Sequence, residues 1–270
     1  MRCLSTEKTM RPTIDADSLR SQIRDKSVRV LDIRKEEDYK QNHIPSAINL
    51  PLANLLGDDS PQRVLQLTQS FGIDDETPVV VYDDTFGALA SRVAWTLQYI
   101  GHEDVSLLDV TYGTWKKMGL ETSTEQVSFN NKNHSLKLKP QILATVDYLE
   151  SAKERKDIVL IDNRERLNYL ENHIPGAINI PYRMLASQEN ILRPKDELKK
   201  LIQNRNISPS SEIITYCGSV GTLSGLGYYA LKSIGMENVK LYVRSFKEWK
   251  ALEKPIESQR DANYWDLSAE

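Results

Sequence analysis

Cys217 stands where a thiol can become a nucleophile. The β-branched run Ile213-Ile214-Thr215-Tyr216 ends on it, and Gly218-Ser219-Val220-Gly221-Thr222 follows before a helical pattern opens at Leu223. This order predicts a thiol at the C-terminal end of a buried strand, cupped by backbone N–H groups. Successive N–H groups in a tight loop form an anion nest, and a helix N-terminus adds partial positive charge. Both favour the thiolate, which is the reactive form. The same residue can also be read as a buried structural cysteine, because free cysteines are often core residues.

The chain around this residue is a duplication. Residues 32–51, DIRKEEDYKQNHIPSAINLP, recur as DNRERLNYLENHIPGAINIP over 162–181, at a constant offset of 130 from Asp32 to Asp162. Residues 79–108 recur over 213–242 at an offset of 134, from Val79 to Ile213. Tyr82/Tyr216, Gly87/Gly221, Leu97/Leu231, Gly101/Gly235 and Trp115/Trp249 coincide. The period is far too long for a solenoid, so the chain is two copies of one domain. Asp83 occupies in the first copy the position of Cys217 in the second.

Short apolar runs alternate with helical patterns. Residues 27–33, 79–82 and 105–108 are expected as strands of the first copy, and 157–162, 212–216 and 239–243 as their partners. They do not alternate in polarity, which is the mark of a parallel sheet with both faces covered. Residues 88–100 and 223–234 place apolar side chains on one helical face, and Gly101 and Gly235 stop those helices. Residues 141–150 are expected as a further helix, with Ile142, Thr145 and Leu149 available for packing. The polar, nonperiodic stretch 121–140 is the expected linker. Tyr264 and Trp265 are expected to anchor the C-terminal tail on a domain.

His43 and His173 occur in both copies, including the one without a cysteine, and so are expected to be structural, as are Asp32 and Asp162. Arg34 and Arg164 each follow a strand end, the edge where open α/β sheets bind ligands. Arg164 shares that edge with Cys217. It either pairs within the fold or faces an anionic substrate.

A length of 270 residues suits two domains that bury their own cores without disulfide staples. The net charge of −3, with acids and bases interspersed, argues against nucleic acid. No apolar run is long enough for a membrane span, and the first fifteen residues lack the apolar core of a secretory signal. Cys3 and Cys217 are the only cysteines, which fits a reducing cytoplasm. Four histidines and two distant cysteines give no metal-ligand spacing, so neither metal nor cofactor is expected. Met10 offers an alternative start.

Two copies of Asp-x-Arg followed by His-Ile-Pro-Ser/Gly-Ala, a strand and a loop resemble the tandem rhodanese-domain sulfurtransferases, the thiosulfate and 3-mercaptopyruvate sulfurtransferase family. The resemblance covers about residues 27 to 250, and Arg92 and Trp95 also fit it. It implies an α/β protein of two rhodanese-like domains, each a parallel five-stranded sheet with helices on both faces, with the site between them. The expected division is an inactive domain over 12–120, marked by Asp83, a linker over 121–140, and a catalytic domain over 141–258. Within the family the loop Cys-Arg-Lys-Gly-Val-Thr goes with thiosulfate and Cys-Gly-Ser-Gly-Val-Thr with mercaptopyruvate. Cys217-Gly218-Ser219-Val220-Gly221-Thr222 is nearer the second, with Val and Gly exchanged, and lacks the cations that would hold a dianion.

Departures from the family are specific. Between Asp-x-Arg and His-Ile-Pro, Arg166 is the only further cation. Residues 53–60 contain no histidine, so the family's relay toward the loop serine has no counterpart. Tyr242-Val243-Arg244-Ser245-Phe246 stands where the family has Tyr-Asp-Gly-Ser-Trp. Arg244 is expected either to supply the anion-binding charge the loop lacks or to be a solvated surface arginine.

The resemblance implies a sulfurtransferase. Cys217 would take a sulfane sulfur from a small donor as a persulfide and pass it to cyanide, a thiol or a thiol acceptor protein such as thioredoxin. Gly218, Ser219, Val220, Gly221, Thr222, Arg164 and Arg244 are the expected substrate-binding residues. The protein is expected to be a cytoplasmic monomer with no nucleic-acid or membrane partner. Two other classes compete. A phosphatase of this fold needs Cys-x5-Arg to clamp phosphoryl oxygens, but position 223 is Leu and the loop reads one residue short. A noncatalytic binding or sulfur-relay module would load Cys217 from a protein partner and turn over small donors poorly.

Overall fold

The computed structural model describes residues 11–187 and 189–259. Cys3, Met10, Tyr264 and Trp265 lie outside them. The chain divides into two units. The first runs to Asp84 and resumes over Val93–Lys139, and the second takes Thr85–Arg92 and everything from Pro140.

In the first unit, β1 (Thr13–Ile14), β2 (Arg29–Asp32), β3 (Ala47–Asn49), β4 (Val79–Tyr82) and β5 (Val105–Leu108) form one parallel sheet in the order β1-β5-β4-β2-β3. Every residue of β4 and β5 is buried, as expected of strands covered on both faces. In the second unit, β6 (Ile158–Asp162), β7 (Ile178–Asn179), β8 (Glu212–Tyr216) and β9 (Val239–Leu241) pair in parallel in the order β7-β6-β8-β9.

Among the described residues, the second sheet lacks the expected fifth strand. Its place beside β9 is held by a single parallel bridge, Leu143 to Leu241, where the first unit has β1 beside β5. A 3-10 turn over Pro140–Ile142 leaves the chain too little extended backbone for a ladder. The helix expected over 141–150 is displaced for the same reason. It spans Val146–Ala152, and Thr145 caps it by accepting from the Tyr148 amide at 3.2 Å rather than packing inward.

The duplication is carried into the cores. Leu19, Tyr39, Ile44, Tyr82 and Trp115 of one cluster recur as Leu149, Tyr169, Ile174, Tyr216 and Trp249 of the other. The histidines recur as scaffold. His43 Nδ1 lies 2.8 Å from the Tyr39 carbonyl and stacks on that ring at 3.9 Å, and His173 repeats both distances on Tyr169. The stretch expected as a linker has no α-helix, but it is pinned to the first unit. Phe129 lies under the Arg29 guanidinium at 3.5 Å, and buried His134 accepts or donates at 2.8 Å with Thr68 Oγ1.

Candidate active site

Register sets the site. Asp162 on β6 pairs with Tyr216 on β8, so the residue after Tyr216 leaves the carboxyl edge of an inner strand. That residue is Cys217, a free thiol that is 2% exposed. Asp83, also 2% exposed, leaves β4 at the equivalent point.

The loop then turns into the helix Thr222–Ser233 through Gly221, whose φ of +76° is in the left-handed region. Gly87 has φ +82° at the equivalent point after β4. The residue without a Cβ thus stands where the backbone turns left-handed before the helix. Among the described residues, the amides of Gly218, Ser219, Val220, Gly221 and Thr222 donate no hydrogen bond. Carbonyls hold the loop instead. Arg92 Nε donates to Val220 O at 2.8 Å, and Ser91 Oγ donates to Thr222 O at 3.2 Å. Gly225 permits that approach, because a Cβ there would sit 2.9 Å from Ser91 Oγ.

Ser245 closes the other side of the thiol. Its Oγ accepts from the Cys217 amide at 3.2 Å, donates to Tyr242 O at 2.8 Å, and lies 3.8 Å from Cys217 Sγ. Ser245 is fully buried with φ +56°, an uncommon conformation for a residue other than glycine. The Phe246 amide donates to Cys217 O and the Lys247 amide to Gly218 O, at 3.1 and 2.9 Å. Ser245 is not among the residues the sequence assigns to the site, although a hydroxyl recurs at Thr111 and Ser245, at the start of matching helices.

Arg164 is held inside the fold. Its Nε and Nη2 donate to both Asp162 oxygens, at 2.6–3.0 Å, and Nη2 also reaches Asn172 O at 2.6 Å. Arg34, Asp32 and Asn42 repeat the arrangement in the first unit. In each case burial works against the guanidinium charge, but the aspartate's hydrogen bonds and charge outweigh it, so both arginines sit above their ordinary pKa. Tyr216 completes the network. Burial, reinforced by the Asp162 charge, pushes its phenol well above the ordinary range.

A cavity of about 670 Å³ opens beside the loop, lined among others by Arg164, Gly218, Leu223, Phe246, Lys247 and Lys250. Cys217 is not in its wall; its neighbour Gly218 is. Leu223 puts an apolar side chain where a phosphatase would need a guanidinium. Arg244 is exposed, precedes the helix Ser245–Ala251 as its N-cap, and does not line this cavity. The strand expected to reach Val243 ends at Leu241, so Arg244 opens a helix rather than ending a strand.

The sequence matches the Rhodanese-like domain over residues 15–118 and again over 145–252. Thiosulfate/3-mercaptopyruvate sulfurtransferase 2 of Arabidopsis thaliana is 26% identical over 292 aligned positions, which cover 89% of this chain and 84% of that protein. Sulfur carrier protein TtuD of Thermus thermophilus is 26% identical over 266, covering 87% and 92%. The crystal structure of SseA from Escherichia coli, described as showing the rhodanese fold of 3-mercaptopyruvate sulfotransferases, has a TM-score of 0.77 at 25% identity, covering 87% of this chain and 98% of that one. Similarity of this kind supports sulfur transfer as the family-level chemistry. The chain belongs to the rhodanese-like domain family, with two copies of the domain in tandem.

Proposed function

We propose that the protein moves a sulfane sulfur from a small anionic donor, 3-mercaptopyruvate or thiosulfate, to a thiophilic acceptor through a persulfide on Cys217. The observation that carries this reading is the thiol at the end of β8, followed by five backbone amides that find no acceptor among the described residues. Cys217 thiolate attacks the outer sulfur of the donor. With thiosulfate, the S–S bond breaks and its electron pair leaves on sulfite. With 3-mercaptopyruvate, the C–S bond breaks, and the enolate of pyruvate leaves and is protonated by solvent. The open amides from Gly218 to Thr222 hold the anionic terminal sulfur, as an oxyanion hole holds oxygen. Cyanide or a thiolate then takes that sulfur and restores the Cys217 thiolate. Ser245 fixes the Cys217 amide and so the direction of its side chain.

In this reading the first unit is the inactive copy. The carboxylate of Asp83 cannot accept a sulfane sulfur, and the Arg34–Asp32 pair beside it is scaffold. A free catalytic thiol also needs a reducing compartment, which favours the cytoplasm.

The scheme is a double displacement, so initial rates with donor and acceptor both varied give parallel double-reciprocal lines, and Cys217→Ser abolishes turnover. Intersecting lines would contradict it. A second reading has its own support: Cys217 is only 2% exposed, and one relative is named a sulfur carrier. A carrier loaded by a protein such as thioredoxin would form the persulfide yet turn over small donors slowly.

A further inference from the structure

The wall of the cavity beside Gly218 bears five charged side chains: Arg164, Glu165, Glu171, Lys247 and Lys250. Two already have an ion-pair partner, one inside the fold and one at the surface. Arg164 is bound to Asp162, and Glu165 is bound to Arg183. Among the described residues, Lys247 and Lys250 have no carboxylate within ion-pair distance. They lie three residues apart on the helix Ser245–Ala251 and therefore share a face. The start of that helix is tied to the nucleophile's loop, because the Lys247 amide donates to Gly218 O at 2.9 Å. Lys250 Nζ lies 5.8 Å from the centre of the Phe246 ring, which is itself part of the wall.

We propose that Lys247 and Lys250 form the cationic side of the donor site and hold the oxyanion end of the sulfur donor while its sulfur faces Cys217. The proposal rests on reading Cys217 as the residue that takes the donor sulfur. The loop offers amide dipoles but no full charge, so an anionic donor must find its counter-charge outside the loop. The two ammonium groups supply it from the neighbouring helix. Ammonium groups on flexible stems act as point charges, so they donate to the three oxygens of a thiosulfate or to the two of a carboxylate without a fixed fork geometry. Glu171, on the same wall, disfavours a second anionic group at its end, so the charge of the donor is confined to the lysine end. The lack of cations in the loop therefore does not bar a dianion from this site.

The test uses the full chain with Cys217→Ser, which binds donor without reacting, titrated calorimetrically with thiosulfate and separately with 3-mercaptopyruvate. Adding Lys247→Met or Lys250→Met is expected to weaken binding about tenfold each, the size expected for a charged hydrogen bond. Lys→Arg at either position should retain affinity. Added salt should weaken binding to the Cys217→Ser protein more than to its double-lysine variant. Both lysines are exposed, so these variants fold, and circular dichroism checks that they do. The donor whose affinity falls further identifies the oxyanion, sulfonate-like or carboxylate, for which the pair is built. Unchanged affinity for both donors in the double variant, or no binding of either donor to the Cys217→Ser protein, overturns the proposal. Failure of the persulfide reading is seen separately, as a wild-type protein that takes up no sulfur.

Discussion

Ser245 Oγ accepts the Cys217 amide at 3.2 Å and lies 3.8 Å from the Cys217 sulfur, while its single proton goes to Tyr242 O at 2.8 Å. One buried hydroxyl thus fixes the backbone of the nucleophile and stands beside its side chain. Ser245→Ala leaves the Cys217 amide and the Tyr242 carbonyl without this partner, at a cost of about 1–3 kcal/mol. It is expected to slow sulfur uptake by about tenfold. Ser245→Gly relieves the φ of +56° but also lacks the hydroxyl, so it should recover stability without recovering the rate. Urea denaturation and single-turnover loading separate the two effects, and equal rates in Ser245→Gly and wild type would rule out a role for the hydroxyl.

The Arg164–Asp162 pair is predicted to matter through folding. Arg164→Ala strands a fully buried carboxylate, and breaking a buried pair costs about 3–5 kcal/mol. Arg34→Ala should cost the first unit a similar amount, because Asp32 is equally buried. A loss of donor affinity in Arg164→Ala with unchanged denaturation midpoint would instead make Arg164 a donor ligand.

Much of the scaffold was legible because the chain contains it twice. Residues common to both copies, such as Asp32/Asp162, His43/His173 and Tyr82/Tyr216, are the ones that occupy matching places in the two units. The thiol at the end of β8 was legible from the β-branched run before it and the glycines after it. Charge around the cavity was not. Arg244 drew attention because it replaces a family glycine, yet Lys247 and Lys250 line the wall, and only the fold of the helix Ser245–Ala251 brings them there. The fifth strand was misjudged because a 3-10 turn consumes the residues that precede Leu143, which no periodicity announces.

Acid should loosen the first unit. His102 and His134 meet edge-to-face at 5.1 Å in its interior. Burial, with the neighbouring His134 charge, holds His102 down at about 4, and burial lowers His134 as well. Both are lowered bases, so the unfolded chain binds more protons below its ordinary histidine value of 6.5. The stabilisation is complete above pH 6.5 and is lost as pH falls toward 4. For His102 it amounts to about 3 kcal/mol at most. Urea midpoints across this range should fall in the wild type and flatten in His102→Gln. A midpoint independent of pH between 6.5 and 4 would contradict the assignment.

Gly221→Ala places a Cβ at a φ of +76°, which costs about 1–2 kcal/mol. The space is sufficient, since the nearest atoms would lie 3.4 Å away, so the cost is one of backbone conformation. The loop is expected to shift, with sulfur uptake falling more than global stability does. Unchanged uptake would mean that the left-handed turn does not set the amide cradle.

Cys217 is expected to carry the transferred sulfur. The direct measurement is the intact mass of the reduced protein after incubation with 3-mercaptopyruvate and, separately, with thiosulfate, alongside Cys217→Ser and Cys3→Ser. The predicted result is the gain of one sulfur atom, removed by cyanide, in wild type and Cys3→Ser and absent from Cys217→Ser. A gain that persists in Cys217→Ser, or no gain with either donor, contradicts it.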